Sequence, residues 1–334
     1  MTDSLRVVSI GGGTGLSSLL NGLKKYTHAS TNYPLVDIAA IVTVTDDGGS
    51  SGRLRRDFDV LPPGDIRNCM VALSEDEALL SQLFRYRFKA GHGLKGHSFG
   101  NLFLTALTEI TGDFPDAVRK SAEVLKIAGR IFPSTAANVS LEAELDNGRV
   151  VIGESRISRS RRPIRSVRIV PARVKPLKEA LAAIARADLI TMGPGSLFTS
   201  VIPNLLVGGI PKAIRESSAL KACFVNLMSQ PGETTSFSAS DHITAIRRHS
   251  GGQILDCAVV STSRIPAAVR RNYAAQNAAP IENDCAAIES LGLEVLEADL
   301  LMKGPRVRHN PDAIARVAMD LAVIGRNRRL AKLG

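Results

Sequence analysis

Short apolar runs alternate with amphipathic stretches along most of the 334 residues, and this alternation limits the possible fold more than any other feature. Apolar runs bounded by glycine and polar residues predict strands over 6–10, 37–44, 189–192, 222–227, 256–261 and 293–297. Apolar residues at helical spacing predict helices over 16–25, 77–85, 99–110, 114–125, 177–187, 241–249, 267–276 and 312–324. Strands that alternate with helices favour crossover connections. We therefore predict an α/β fold with a mostly parallel sheet and helices on both faces.

One segment, 138–170, interrupts this alternation. Residues 139–145 alternate between apolar and polar with a period of two, Asp146-Asn147-Gly148 supplies a turn, and the chain returns as strands over 150–154 and 164–170. This pattern predicts a small antiparallel β insert. We place the nucleotide-binding core at 1–137 and 171–325, and a basic C-terminal tail at 326–334.

The composition argues against several classes of function. Aromatic residues make up only 4% of the chain and tryptophan is missing, so a base-stacking surface for single-stranded nucleic acid is poorly supplied. The cysteines are far apart, which argues against a zinc cluster or a redox pair and fits a reducing cytoplasm; they are Cys69, Cys223, Cys257 and Cys285. The N-terminal residues lack the apolar core of a signal peptide, and no apolar run reaches membrane-spanning length. We expect a cytoplasmic protein without a membrane span.

The net charge of +10 comes largely from two basic segments. Their members are Arg156, Arg159, Arg161, Arg162, Arg165, Arg168 and Arg173, and then Arg326, Arg328, Arg329 and Lys332. We interpret them first as a solvated surface with a frayed basic tail, and second as a face that attracts anionic ligands or partners. Specific nucleic-acid recognition ranks third, because no helix-turn-helix, zinc-finger or RNA-binding motif is found.

A glycine-rich turn follows the first predicted strand. Gly12, Gly13, Thr14 and Gly15 are placed where a strand passes into a helix, and backbone N–H groups freed by glycine can bind phosphate. Leu16 occupies the third glycine position of a dinucleotide fingerprint, and no Gly-Lys-Ser/Thr follows. We therefore predict contact with phosphate or sugar, and no NAD. The alternative is a tight turn without a ligand.

Two aspartates and a Gly/Ser cluster follow the second predicted strand, and we predict ligand contacts there from Asp46, Asp47, Ser50, Ser51 and Arg53. The alternative for this segment is a solvated polar loop.

The segment Pro62-Pro63-Gly64-Asp65 places Asp65 as the N-cap of a helix that runs toward Leu73. Capping alone explains this aspartate, but the nearby Arg67 and Asn68 suggest that Asp65 faces the same cavity as Asp46. Two carboxylates from separate loops suit Mg²⁺ that bridges phosphates, so we predict a metal site at Asp46 and Asp65.

Three further loops contribute candidate ligand residues. Lys95, His97 and Asn101 surround the start of an apolar helix; for His97 a hydrogen-bonded loop histidine is the equal alternative. The loops after two later strands add Gly193, Gly195 and Ser196, and Asn226 and Gln230. Since polar loops that follow parallel strands gather at one edge of a sheet, we predict a single crevice. No Ser-His-Asp or Cys-His set can be assembled from the spacing.

These motifs together resemble the gluconeogenesis factor family, which is related to the 2-phospho-L-lactate transferases. The resemblance covers about residues 6–323 and depends on Gly-Gly-Gly-Thr-Gly at 11–15, Asp-Asp-Gly-Gly-Ser-Ser-Gly-Arg-Leu-Arg at 46–55, Pro-Pro-Gly-Asp-Ile-Arg-Asn at 62–68, Gly-His-Ser-Phe-Gly-Asn-Leu at 96–102 and Gly-Pro-Gly-Ser-Leu at 193–197. It implies a Rossmann-like core in a cytoplasmic protein that binds UDP-sugars, notably UDP-N-acetylglucosamine. It also implies a role in cell shape and in routing carbon into envelope precursors on gluconeogenic carbon sources.

The resemblance assigns roles to four residues. It implies that Asp46 and Asp65 serve metal and phosphate chemistry, and that Tyr273 and Arg308 contact the nucleotide. The basic segment 156–173 exceeds what the resemblance requires.

Two functions remain open. The first is a regulator in which the UDP-sugar sets the affinity for a partner, the aminotransferase that begins hexosamine synthesis. The second is a Mg²⁺-dependent phospholactate-type or uridylyl transferase, in which Arg53 or Arg67 stabilises developing charge. The paired carboxylates favour chemistry and the resemblance favours regulation. We rank the regulator first and expect a homo-oligomer.

Overall fold

The computed structural model describes residues 4–28, 33–74 and 79–331. Its strands are β1 (Leu5–Gly11), β2 (Val36–Val42), β3 (Arg130–Pro133), β4 (Ser140–Leu145), β5 (Val150–Ile152), β6 (Ile164–Val170), β7 (Leu189–Met192), β8 (Leu220–Phe224), β9 (Cys257–Ser261) and β10 (Glu294–Ala298). Its helices are α1 (Gly13–Leu23), α2 (Gly49–Phe58), α3 (Gly64–Leu73), α4 (Leu79–Arg85), α5 (Phe99–Thr111), α6 (Phe114–Val124), α7 (Glu154–Ile157), α8 (Lys178–Arg186), α9 (Ile202–Leu205), α10 (Ile210–Glu216), α11 (Ala239–His249), α12 (Ala267–Ala274), α13 (Cys285–Ser290) and α14 (Pro311–Ala331). A 3₁₀ turn spans Lys24–Tyr26 and a π-helical turn spans Leu197–Val201.

Seven of these strands form one parallel sheet in the order β10-β9-β8-β7-β1-β2-β3. β1 and β2 are buried almost throughout and β7 is buried at every residue. Such continuous apolar runs are typical of strands that helices cover on both faces. The predicted α/β, mostly parallel fold is confirmed.

The order of the strands reverses direction next to β1. From β1 the chain moves to β2 on one side, whereas β7, which pairs with the other side of β1, continues to β8 in the opposite direction. The chain therefore continues from β1 and from β7 toward opposite edges of the sheet. Open α/β sheets bind ligands in the crevice at such a switch point.

The predicted antiparallel insert is confirmed as a three-stranded sheet in the order β5-β4-β6. Leu141, Ala143 and Leu145 of β4 are buried and alternate with partly exposed residues, as the period of two predicts. On the exposed side, ion pairs join Arg165 to Glu144 and Arg168 to Glu142. Part of the basic segment 156–173 is therefore paired across this sheet; both arginines are exposed, so each pair adds little to stability.

The C-terminal segment differs from the expected basic tail, since α14 continues through Ala331. Arg326 and Arg329 bind the carboxylate of Asp188, which is fully buried just before β7. Gly325 allows this approach, because a Cβ at that position would overlap the carbonyl oxygen of Asp188. These arginines are structural, and the prediction of a frayed tail is wrong for them.

Several elements are absent from the sequence predictions. β3 forms one edge of the large sheet, and α2 occupies a segment that we predicted to be a loop. The helices α7, α9, α10 and α13 were also not predicted. Residues 77 and 78 of one predicted helix lie outside the described residues, and α4 follows them from Leu79.

Within the described ranges, no single helix is long and apolar enough to cross a membrane. One bent pair, Leu197–Leu205 with Ile210–Glu216, passes that test by length and composition only.

Candidate functional site

A cavity of about 530 Å³ opens at the carboxyl ends of β1, β7 and β8. It lies at the switch point of the sheet, where the fold predicts a ligand site. Ten residues predicted from the sequence line it: Gly12, Gly13, Thr14, Gly15, Gly195, Ser196, Asn226, Gln230, Tyr273 and Arg308. The glycine loops after β1 and β7 and the polar loop after β8 therefore do share one crevice.

The two glycine loops touch each other on the cavity wall. A Cβ on Gly15 would overlap the carbonyl oxygen of Pro194, so only glycine permits this contact. Gly13 has φ +63°, in the left-handed region that favours glycine. The side chain of Asn226 then fixes the second loop, because its Nδ2 donates to the Gly195 carbonyl at 2.9 Å and its Oδ1 accepts from the Gly195 N–H at 3.3 Å.

Asp65 lies directly beneath the first glycine loop. Helix α3 begins at Gly64 with Pro63 as its N-cap residue, so the prediction that Asp65 is the N-cap is wrong. Its carboxyl group instead lies near the Gly13 N–H, which lowers the pKa of Asp65 against the larger effect of burial. Its Oδ2 is 2.5 Å from where a Cβ on Gly12 would be, so a larger residue at position 12 would displace the carboxylate.

Asp46 approaches the same place from the loop after β2. Its Oδ1 accepts from the Gly48 N–H at 2.8 Å, and its Oδ2 lies 2.7 Å from the Cβ position of Gly64, which precedes Asp65. Burial, followed by the charge of Asp46, raises the pKa of Asp65 to about 7. Two carboxylates that repel each other in this way favour a cation between them.

The candidate metal ligands predicted from the sequence are these two carboxyl groups. Among the described residues, no three His, Cys, Asp or Glu side chains converge to hold a metal ion. Mg²⁺ commonly uses one or two carboxylates and takes its other ligands from phosphate and water. Asp46 and Asp65 fit that pattern.

Several other predicted ligand residues hydrogen-bond one another between α2, α3 and α5, away from the cavity wall. Ser50 Oγ lies 3.1 Å from His97 Nδ1, and Asn101 Nδ2 donates to Ser51 Oγ at 3.4 Å. The residues from the prediction that do not line the cavity are Asp46, Asp47, Ser50, Ser51, Arg53, Asp65, Arg67, Asn68, Lys95, His97, Asn101 and Gly193.

The arginines of this group are held by protein acceptors. Arg53 donates to the Lys95 carbonyl at 2.9 Å, and Arg67 donates to Ser98 Oγ at 2.7 Å and to Asn68 Oδ1 at 2.6 Å. Arg53 therefore joins α2 to the loop that precedes α5, and Arg67 joins α3 to Ser98, the N-cap of α5.

Asp47 points away from Asp46, toward the insert. Its Oδ1 accepts from the Ser155 N–H at 2.8 Å, in the first turn of α7. Gly153 is required beside it, since a Cβ there would overlap Asp47 Oδ2. Asp47 thus fixes the insert to the loop that carries Asp46.

Sequence reasoning missed two glutamates on the cavity wall, Glu154 and Glu233. Burial and then the charges of Asp46, Asp65, Glu233 and Asp47 raise the pKa of Glu154 to about 9. Glu154 begins a four-residue helix that gives no periodic signal. Glu233 belongs to the loop after β8, from which only Asn226 and Gln230 were chosen, because nothing local shows which polar residues turn inward.

Tyr273 and Arg308 reach the cavity from beyond β9 and β10. The Tyr273 hydroxyl accepts from the Val307 N–H at 3.0 Å, and its ring packs against the small apolar cluster that contains Met228. His309 beside them is buried, which lowers its pKa to about 4, and it hydrogen-bonds the Val225 carbonyl at 3.3 Å. Arg308 is exposed at the cavity.

Comparison with known proteins agrees with this architecture. The profile of the family described as 2-phospho-L-lactate transferase CofD matches residues 7–301. The Gluconeogenesis factor of Bacillus subtilis is 44% identical over 96% of this chain and 99% of its own length. The Gluconeogenesis factor of Halalkalibacterium halodurans is 45% identical over 94% of this chain and 95% of its own.

A solved structure of a member of the UPF0052 family from Bacillus halodurans superposes with a TM-score of 0.90, at 44% identity, over 95% of this chain and 99% of that one. Similarity of this extent, in sequence and in structure, shows family membership. The chain belongs to the gluconeogenesis factor family, within the wider group that the 2-phospho-L-lactate transferase profile describes.

Proposed function

We propose that this protein binds a UDP-sugar, UDP-N-acetylglucosamine, in the cavity at the switch point. The observation that carries the proposal is the contact between the loops after β1 and β7, which brings glycines of both loops and the N-terminus of α1, which has no side-chain cap, to the wall of one cavity. That space, at about 530 Å³, is within the range of small-molecule sites. The relatives named gluconeogenesis factors support a general role in gluconeogenic growth.

The order of the strands supports an elongated ligand. Thr14 follows β1 and Tyr273 follows β9, which are three strands apart along the sheet edge, and both residues line the cavity. At roughly 4.8 Å per strand, these steps span about 14 Å. A molecule with a base, a diphosphate and a sugar uses such a length, whereas a single phosphate does not. Tyr273 and Arg308 would then contact the nucleotide.

We further propose that the bound UDP-sugar regulates carbon flux into envelope precursors, with consequences for cell shape. Regulation requires two conformations, one that binds the partner and one that does not, and these must differ in their affinity for the UDP-sugar. The proposed partner is the aminotransferase that begins hexosamine synthesis, in the cytoplasm, and the proposed assembly is a homo-oligomer.

Thermal denaturation with UDP-N-acetylglucosamine, UDP and inorganic phosphate tests the binding proposal. A ligand at one hundred times its Kd stabilises the folded state by about 2.7 kcal/mol, which is readily measured. Arg308→Ala should weaken the response to both nucleotides. Arg306→Ala removes an exposed arginine that does not line the cavity, so it is the matched control. A transition temperature that neither nucleotide changes would contradict the proposal.

A Mg²⁺-dependent transferase is the second candidate, and the pairing of Asp46 with Asp65 favours it. These two residues would hold Mg²⁺, which when bound would neutralise a diphosphate beside the Gly13 N–H. The hypothesis that Arg53 or Arg67 stabilises developing charge has less support, because neither lines the cavity.

Incubation with Mg²⁺ and UDP-N-acetylglucosamine separates the two candidates. Turnover that is lost in Asp46→Asn but kept in Asp37→Asn, an exposed aspartate paired with Arg130, would favour the transferase. Tight binding without turnover would favour the regulator.

A further inference from the structure

The side chains that line the cavity supply little positive charge. Among the described residues of this lining, Arg308 is the only lysine or arginine, and Glu154 and Glu233 line the cavity as well. The N–H groups at the start of α1 add only a partial charge. Apart from a bound cation, the positive potential that draws an anion into the cavity must therefore come from residues that do not line it.

The cavity wall beyond β9 and β10 is built from two strongly basic segments. Residues 264–281 and 301–309 contain six lysines and arginines and no aspartate or glutamate. The hydrogen bond from the Val307 N–H to the Tyr273 hydroxyl joins the two segments, and both residues line the cavity.

The basic side chains of this wall are not neutralised by the protein. All are exposed, and none makes an ion pair or a side-chain hydrogen bond within the described part of the chain. Besides Arg308 they are Arg264, Arg270, Arg271, Lys303 and Arg306. These five form one part of what we call the basic rim.

The insert supplies the other part of the basic rim. Within the basic segment 156–173, three arginines pair with carboxylates of the insert itself: Arg162, Arg165 and Arg168. Three others are exposed and have no ion pair or side-chain hydrogen bond to a described residue: Arg156, Arg159 and Arg161. These last three complete the basic rim.

The position of α7 places the unpaired arginines of the insert beside the cavity. They belong to α7 and to the turn after it, and Glu154 and Ser158 of the same stretch line the cavity. The turn also lies against the loop after β8, because a Cβ on Gly232 would overlap the Ser160 carbonyl oxygen. Unpaired cations thus come to the cavity from two separate parts of the chain.

We infer that the basic rim steers an anionic nucleotide into the cavity. The inference rests on the proposed function, since it describes how a ligand with a diphosphate reaches that site. Charges that do not touch the ligand act before contact, so they raise the association rate constant and leave the dissociation rate constant nearly unchanged. The basic rim also gives a role to the part of segment 156–173 that has no partner in the insert.

Stopped-flow binding of UDP-N-acetylglucosamine tests the inference, because it separates the two rate constants. Tyr273 lines the cavity and the chain has no tryptophan, so tyrosine fluorescence reports binding. The first variant combines Arg270→Gln, Arg271→Gln and Lys303→Gln. At about 0.1 M salt, where the Debye length is about 10 Å, we expect its association rate constant to fall about fivefold and its dissociation rate constant to stay within about twofold.

A second variant tests the insert, and combines Arg156→Gln, Arg159→Gln and Arg161→Gln. We expect the same result, since each charge changes the rate by less than about twofold and three are removed together. At about 1 M salt the Debye length is about 3 Å, so both variants should associate as fast as the parent.

The matched control combines Lys126→Gln, Arg186→Gln and Arg247→Gln. These exposed residues precede β3, β7 and β9, at the amino ends of the strands, whereas the cavity opens at the carboxyl ends. The control removes the same charge at a distance of several Debye lengths, and should leave the association rate constant within about twofold of the parent.

Three results would overturn the inference. They are an association rate constant of either rim variant that equals the control, a loss that appears in the dissociation rate constant instead, and a parent whose association rate constant is the same at both salt concentrations. A parent that does not bind UDP-N-acetylglucosamine at all would instead refute the proposed function.

Discussion

Asp188 joins the last helix to the centre of the sheet, and its charge can be removed without a change of shape. Its Oδ2 accepts from the Arg6 N–H of β1 at 2.9 Å and from Arg326 Nη2 at 2.7 Å, and its Oδ1 accepts from Arg329 Nε at 2.8 Å. Asp188→Asn would leave both guanidinium groups, only 14% and 16% exposed, without their counter-ion.

The expected cost follows from burial. Breaking a buried ion pair by removing one partner typically destabilises a protein by 3–5 kcal/mol. Because both arginines lie near the surface and keep some access to water, we expect about 3 kcal/mol for Asp188→Asn. Against a typical unfolding free energy of about 5–15 kcal/mol, this loss is large.

Asp256→Asn is the matched control. Asp256 precedes β9 as Asp188 precedes β7, and it likewise accepts from a neighbouring strand, through the Lys221 N–H at 2.8 Å. Its side chain is 38% exposed and its distance to Lys221 Nζ is 4.0 Å, so we expect a loss below about 1 kcal/mol.

Urea unfolding measures both variants, with the midpoint expected to fall and the slope expected to stay constant. Burial raises the pKa of Asp188, but Arg326, the Arg6 N–H and Arg329 outweigh it, so the net shift is downward. The stabilisation by Asp188 is therefore present at neutral pH, and is lost as the pH falls through this depressed pKa. If Asp188→Asn costs no more than Asp256→Asn, the tail arginines do not stabilise the fold in the way we argue.

Two further predictions concern the cavity wall. Because the folded state raises the pKa of Glu154 from 4.5 to about 9, the contribution of this group to stability decreases as the pH rises between those values. Glu154→Gln should thus be more stable than the parent by at least about 1 kcal/mol at pH 8 and equally stable at pH 4. Urea unfolding measures both proteins, and a difference in unfolding free energy that does not change with pH would contradict this prediction. Gly15→Ala should lower the free energy of unfolding by about 1–3 kcal/mol and weaken UDP binding, because the new Cβ would overlap Pro194. Gly11→Ala is the control, since its Cβ would make an ordinary 3.5 Å contact with Leu16. Equal losses for the two variants in denaturation and in titration would refute the steric argument.

Helix α2 shows where local reasoning fails. Gly48, Gly49 and Gly52 within five residues predict a loop, because each glycine in a helix costs about 1 kcal/mol relative to alanine. The segment is nevertheless helical from Gly49, with Ser50, Ser51 and Leu54 buried. Contacts with α3 and α5 outweigh the intrinsic preference, and those contacts join residues about fifty positions apart.

The sequence by itself determined the parallel sheet, the antiparallel insert and the meeting of the glycine loops at one edge. These follow from periods of 2 and 3.6 residues and from turn residues, which are local properties of the chain. Only the tertiary structure decided which polar atoms meet. It placed Asp65 under Gly13, turned Asp47 to α7 and brought Glu154 and Glu233 to the cavity wall. Such pairings depend on angles between elements far apart in sequence, and no local pattern encodes those angles.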